Sequence, residues 1–337
     1  MRAALLTSHG LDGLSVVDDL DRPVPAAGEV LVRVQTVGVN QLDLNVIAGL
    51  GPGAAARLPR VLGLDPAGVI EAVGSGVSPA RVGEAVVVKP NIPCGSCAAC
   101  AAAREADCAA QTVVGVHREG GAAEYVAVPA ASAFARGRLA PELATAAVHS
   151  LPIVINALDT IGLVAGERVL VTGAGGTLGQ AAVDYARHLG AEVTAASRRP
   201  IEAADGVRRL MATDAAALAS ALEATGAPGF DVVLDVSGHA ALLGAGIAAL
   251  AWGGRAVFCA ASIDSRLEID AREFYLRRKR LHGVASADLE QVRRALELVQ
   301  HGEVTVHVGS RHPLDEIATA YRDFAVAPPG KVIIDVA

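Results

Sequence analysis

The stretch "RVLVTGAGGTLGQAAVDYARHLGAEVTAASRR", residues 168–199, constrains this chain more than any other. A short apolar run, "RVLVTG", has the composition of a buried strand. It ends in a glycine cluster, Gly173, Gly175, Gly176 and Gly179, with Thr177 and Leu178 inside it. An alanine-rich segment follows with helical texture and ends at a glycine, and "EVTAAS" then reads as a second strand. A tight glycine turn lets backbone N–H groups approach a pyrophosphate, and the helix N-terminus adds the positive end of its dipole. Glycine spacing alone is a weak signal. Here the strand before the turn, the helix after it and the next strand about 20 residues on all fit a dinucleotide site.

The second strand ends in Ser197, Arg198 and Arg199. An NAD site wants an acidic residue there for the adenosine ribose diol, whereas a hydroxyl and two guanidiniums suit a 2′-phosphate. The expected cofactor is therefore NADPH, bound by these three residues and the glycine turn.

After residue 140 the chain alternates in kind. "ELATAAVHSLPIVINALDTIG" reads as helix, with Pro152 as a kink or a start. "FDVVLDVSG" and "GRAVFCAAS" read as strands, "DLEQVRRALELVQHGEV" as an amphipathic helix, and "GKVIIDVA" as a closing strand. Strands spaced by helices imply a parallel, doubly wound sheet, so the fold class is α/β. Before residue 140 the texture differs. "EVLVRVQTVGV", "AGVIEAVGSGV", "GEAVVVKP" and "AAEYVAVP" alternate like half-buried strands, separated by glycine and proline. At 337 residues there is room for two domains.

The formal charge of −7 argues against nucleic acid as a partner, because phosphate binding needs a basic surface. Only Lys89, Lys279 and Lys331 of the 29 basic residues are lysines, which reads as compositional bias. The N-terminus lacks the pattern of a signal peptide, and no uninterrupted apolar run has the length of a membrane span. A cytoplasmic location is expected. Thiols stay reduced there, so the array "CGSCAACAAAREADC", with Cys94, Cys97, Cys100 and Cys108, points to bound metal over disulfides. Cys259 lies on an apolar strand and reads as core.

Together these pieces, with "VGVNQLDLNVIAG", "PRVLGLDPAGVIEAVGSGV", "GVHREGGAAEYVAVP", "WGGRAVF" and "HPLDEIATAYRD", resemble the medium-chain dehydrogenase/reductase superfamily of zinc alcohol dehydrogenases and quinone oxidoreductases. The resemblance spans essentially the whole chain. It implies a GroES-like β-rich catalytic domain over residues 1–150 and 282–337, a Rossmann domain over 151–281, and a homodimer. It also implies that the four cysteines hold a structural Zn2+.

The resemblance places the catalytic-zinc ligands at Asn40 and Leu64, and at His149 if the match is ungapped; a shifted match would put Pro152 there. Zinc wants several thiolate, imidazole or carboxylate ligands in a tetrahedron, which this set lacks. No catalytic zinc is expected, and Leu42 stands where a proton-relay hydroxyl belongs. Asn40, Asp43 and His149 are the candidate catalytic residues. Asn40 offers an amide donor, His149 a ring suited to proton transfer, and Asp43 a carboxylate better suited to organising its loop. Asn45 and His117 are weaker candidates.

Without a Lewis acid, substrates that are already polarised suit such a site. The expected reaction is hydride transfer from NADPH to a quinone or enone. The alternatives are a zinc-independent carbonyl reductase or alcohol dehydrogenase, a tailoring enzyme, and a non-catalytic nucleotide-binding protein.

Overall fold

The strand Glu29–Gly38 organises the first half of the protein. Val30, Val32, Val34 and Val37 on it are buried, and β-branched side chains pack well on a pleated, covered surface. The computed structural model describes all residues except 202–204, 227, 262, 327, 328 and 337. Two units emerge. One comprises Met1–His149, Asp288–Gln300 and Val306–Ala337, and the other Ser150–Ala287 and His301–Thr305.

In the first unit a seven-stranded sheet runs in the order Ala133–Ala135, Ala85–Val88, Ala67–Val73, Glu29–Gly38, Lys331–Asp335, Val308–Pro313, with Tyr125–Pro129 also paired to Glu29–Gly38. The last strand of the chain lies antiparallel to Glu29–Gly38, with Ile333 opposite Gly38 and Asp335 opposite Thr36. That register carries Lys331 past the end of the older strand, toward Val39 and Asn40. Leu6, Val32, Leu62, Leu64, Ile70 and Tyr321 are among the side chains of the core beneath it. Burying each such aliphatic side chain contributes about 1.5–3 kcal/mol.

The apolar stretch read as one helix is two, Pro141–Val148 and Ser150–Ile161, with His149 at the break. Pro152 falls in the first turn of the second, where a missing N–H breaks no helical bond. By length and composition Pro141–Ile161 would cross a membrane, contrary to the expectation above, but 78% of its most apolar window is buried within the protein. It is a core element.

The second unit is a six-stranded parallel sheet. Its order is Arg208–Met211, Glu192–Ser197, Arg168–Thr172, Phe230–Asp235, Leu250–Phe258, Arg280–Gly283. Numbered along the chain this is 3-2-1-4-5-6, the dinucleotide-binding order, and its direction reverses beside Arg168–Thr172. Leu170, Val233 and Ala256 sit in its buried core. The GroES-like plus Rossmann α/β architecture expected from the sequence is the one observed.

Candidate active site and metal centre

Three groups of residues stand out. The glycine turn follows Arg168–Thr172 and opens the helix Thr177–His188. Gly173 has φ +80°, a conformation that favours glycine, and a Cβ there would meet the Ser237 backbone at 2.7 Å. A Cβ on Gly179 would fall 2.1 Å from the Gly173 carbonyl oxygen, so the helix can start only where glycine stands. Gly176 caps the helix, and its Cβ position meets nothing closer than 3.8 Å. The helix N-terminus, with Thr177 and Leu178 in its first turn, is the kind of position that favours an anion. Gly175 approaches Ser197: a Cβ on it would lie 2.7 Å from Ser197 Oγ. Ser197 Oγ accepts from the Arg199 N–H at 3.3 Å, and Arg198 and Arg199 are exposed beyond the strand.

Sequence reasoning missed the carboxylate that braces this turn. Asp235 Oδ1 accepts from Thr172 Oγ1 at 2.5 Å and from Ser237 Oγ at 2.7 Å. Its Oδ2 is buried with no hydrogen-bond partner among the described residues. Burial raises the Asp235 carboxyl above its ordinary range, against the pull of the two hydroxyls.

The four cysteines converge. Their sulfurs all lie within 4.8 Å of one another, with Cys97 to Cys100 at 3.5 Å and Cys94 to Cys100 at 4.0 Å. Zinc–sulfur bonds of about 2.3 Å in a tetrahedron place sulfurs ~3.8 Å apart. Backbone N–H groups of Ser96 and Cys97 draw the Cys94 thiol down to about 6, favouring thiolate. Desolvation, and then the bond to Cys97, pushes Cys100 up to about 12. Four sulfurs this close cannot all ionise without a cation between them. The set is a closed, four-cysteine structural zinc site with no position left for substrate. Its loop also anchors a distant segment: the Ala106 N–H donates to Asp288 Oδ1 at 2.7 Å, and the Leu289 N–H to Glu105 Oε2 at 3.3 Å.

The third site is a buried polar cluster in the first unit, and it unites the predicted residues. Asn40 caps the helix Gln41–Ala48, and its N–H donates to Asp43 Oδ2 at 2.9 Å. The Gly63 N–H donates to Asp43 Oδ1 at 3.2 Å. Asp43 thus ties two loops together. Burial, then the neighbouring Asp65 charge, pushes its carboxyl up to about 8.

His149 Nδ1 lies 2.7 Å from Asn40 Oδ1. Burial, then Lys331, pulls the imidazole down to about 4, against the opposing pull of Asp65, so it is neutral near pH 7. Lys331 was not predicted. Its ammonium donates to Asn40 Oδ1 at 2.6 Å and to Asp65 Oδ2 at 2.7 Å, and both ionic side chains are fully enclosed. The side chain of Asn45, a weaker candidate, accepts from Gln41 Nε2 at 3.3 Å. His117 Nδ1 accepts from the Val113 N–H at 3.0 Å within its own turn.

The positions at which the resemblance would seat a catalytic metal do not suit one. Leu64 is apolar and buried, and Asn40 offers a neutral amide whose oxygen already faces an ammonium. Among the described residues, the four cysteines are the only cluster of potential ligands with metal spacing.

Residues 26–137 match the alcohol dehydrogenase GroES-like domain, and residues 177–301 the zinc-binding dehydrogenase domain. The chain is 32% identical to an L-threonine 3-dehydrogenase of Saccharopolyspora erythraea, over 99% of each chain. It is 28% identical to the L-galactonate-5-dehydrogenase of Escherichia coli, covering 89% of this chain and 88% of that one. The crystal structure of an NAD-dependent alcohol dehydrogenase superposes with a TM-score of 0.90 at 30% identity, over the whole of both chains. These relatives overturn the expectation of a quinone or enone reductase: they are named as dehydrogenases of alcohols and hydroxy acids. The relatives leave the choice of nicotinamide open.

Proposed function

This chain belongs to the medium-chain dehydrogenase/reductase family of zinc-binding alcohol dehydrogenases, and from that premise we propose that it interconverts a secondary alcohol and its ketone on a small polar substrate. The observation that carries this reading is the His149 ring, 2.7 Å from Asn40 Oδ1 at the end of a buried hydrogen-bonded chain, where burial favours its neutral form. Relatives named for L-threonine and L-galactonate support a substrate that bears its hydroxyl on a polar, carboxylate-carrying skeleton.

The nicotinamide, when bound, supplies the hydride acceptor. The carbinol C–H bond breaks with its electron pair leaving as hydride, the O–H bond gives its proton to His149 Nε2, and the ketone forms. As hydride departs, positive charge builds on carbon and the hydroxyl becomes a far stronger acid than an alcohol. A weak base that is neutral near pH 7 is then a competent acceptor. We assign no metal to this step, because Asn40, Leu64 and His149 make a poor donor set and Lys331 already brings a cation. Zinc belongs to the cysteine loop. For the cofactor we favour NADP(H), on the strength of Ser197, Arg198 and Arg199 at the end of the second strand.

The test is steady-state oxidation of L-threonine, sugar acids and simple secondary alcohols by the purified chain with NAD+ and NADP+, alongside metal analysis. Alcohol-dependent reduction of nicotinamide with a single zinc per chain is expected. Reduction of quinones or enones with no alcohol turned over would overturn the substrate class. A second zinc whose removal stops turnover would overturn the metal-free step.

A further inference from the structure

Asn40 has two chemically opposite ends, and its neighbours tell them apart. Its Nδ2 donates to Asp65 Oδ2 at 3.0 Å and to the Gly38 carbonyl at 3.3 Å. Both of those atoms only accept. Its Oδ1 faces the Lys331 ammonium, which only donates. Rotating the amide by half a turn would set NH2 against NH3+ and a carbonyl against a carboxylate, so one orientation survives.

His149 Nδ1 approaches that same Oδ1. An amide oxygen has no proton to give, so Nδ1 must carry one. A neutral imidazole has a single N–H, which leaves Nε2 as a lone pair.

We infer that Lys331 is a positioning residue for His149: its ammonium, held between Asp65 and Asn40, orients the Asn40 amide and through it locks His149 in the tautomer with Nδ1 protonated and Nε2 open as a proton acceptor. The inference adds a residue and a protonation state to the alcohol dehydrogenase reading and rests on that reading only for its effect on turnover. The tautomer itself is a property of the folded chain.

The surrounding charges agree. Lys331 and Lys89 disfavour a charged His149, and Asp65 alone favours one. Asp65 is already joined to Lys331 and to the Gly38 N–H at 2.9 Å. Asp43 also lies within the field of Lys331 and Asp65, but its hydrogen bonds go to the N–H groups of Asn40 and Gly63. The buried Tyr321 hydroxyl lies in the field of both carboxylates and has no hydrogen-bond partner among the described residues. The cluster therefore holds a fixed positive charge at Lys331 and a neutral ring at His149, where an ordinary pair of strand-pinning ions would leave the ring free to choose.

Nitrogen NMR of the full-length protein tests this directly. In the wild type, His149 should show a protonated Nδ1 and a bare Nε2 at neutral pH, with titration well below 6.5. In Lys331→Met the tautomers should mix, the titration should move up from about 4 toward 6.5, and the acid limb of kcat/KM for alcohol oxidation should move with it. At pH 7 that variant should lose on the order of 10–100-fold in kcat/KM, a share of what general base catalysis supplies. Lys331→Arg keeps the charge and should restore much of the titration behaviour. A wild-type His149 protonated on Nε2, or titrating near 6.5, would overturn the inference even if Lys331→Met fails to fold. So would an unchanged His149 titration in a folded Lys331→Met. A chain that turns over no alcohol but shows the stated tautomer would overturn the alcohol dehydrogenase reading and uphold this one.

Discussion

Gly38 lacks a side chain where Lys331 needs to pass. A Cβ on Gly38 would lie 2.2 Å from Lys331 Cε and 2.8 Å from Asp65 Oδ1. The bare backbone at the end of Glu29–Gly38 is the channel through which the lysine reaches Asp65 and Asn40. Gly38→Ala should therefore cost roughly 1–3 kcal/mol of stability, as overpacking does. It should also reduce alcohol oxidation more than its loss of stability explains, because the displaced ammonium no longer holds Asn40. Urea unfolding and kcat/KM measured side by side would check this, and wild-type values for both would refute the packing argument.

Asp43 and His149 shape stability against pH in opposite senses. Asp43 rises from its ordinary 3.8 to about 8 on folding. Between those values the folded state keeps a proton that the unfolded chain has lost, so stability falls as pH climbs. His149 falls from 6.5 to about 4. In that window the unfolded chain holds the extra proton, and stability rises with pH. From about pH 4 to 6.5 the two slopes offset, and from about 6.5 to 8 that of Asp43 stands alone. Asp43→Asn removes the titration. Its melting temperature, lower overall because an amide NH2 must face one of two backbone N–H groups, should rise with pH up to about 6.5 and then stay level. A variant that still weakens between about pH 6.5 and 8 as the wild type does would show that Asp43 does not carry the effect.

Some of this site can be read from sequence because its parts lie close together along the chain. The glycine turn and the four cysteines are local, and the pleat shows in the valines of Glu29–Gly38. The Lys331–Asn40 bond joins residues 291 apart and exists only through the register that sets Ile333 opposite Gly38. One clue was available. The chain has three lysines, Lys89, Lys279 and Lys331, and all three are buried, at 2%, 5% and 1% exposure. Arginine supplies the rest of the basic residues, so the rare choice of lysine marks places where a compact ammonium is needed. The step from Asn40 and Leu64 to quinones fails for a related reason: two positions do not decide a substrate class, which here follows the likeness of the whole chain to alcohol dehydrogenases.

Stripping zinc should loosen more than its own loop. Glu105 and Ala106 hold Leu289 and Asp288, at the start of the helix Leu289–Gln300. That helix packs Val292 and Leu296 into a cluster with Phe134, Leu139 and Val148. A strong chelator, or Cys108→Ser, is expected to lower the melting temperature by about 3 °C, on the order of 2 kcal/mol for a chain this size. Proteolysis between residues 94 and 108 should accelerate in parallel. Unchanged melting and cleavage after measured loss of zinc would show that the loop holds its shape without metal.

The cofactor prediction rests on charge at one strand end. Arg198 stands just beyond Ser197, where an adenosine 2′-substituent would sit in this fold, and a guanidinium matches a phosphate with two parallel hydrogen bonds. Losing hydrogen bonds to a charged group costs about 1.5–3 kcal/mol. Arg198→Ala should therefore raise KM for NADP+ by about 10–100-fold while KM for NAD+ changes less than about twofold. The stability of the chain should not move, because Arg198 is exposed. Initial rates against both cofactors at saturating alcohol would decide it. Equal weakening toward both would place Arg198 on the shared pyrophosphate, and no weakening would leave Arg199 as the residue to test.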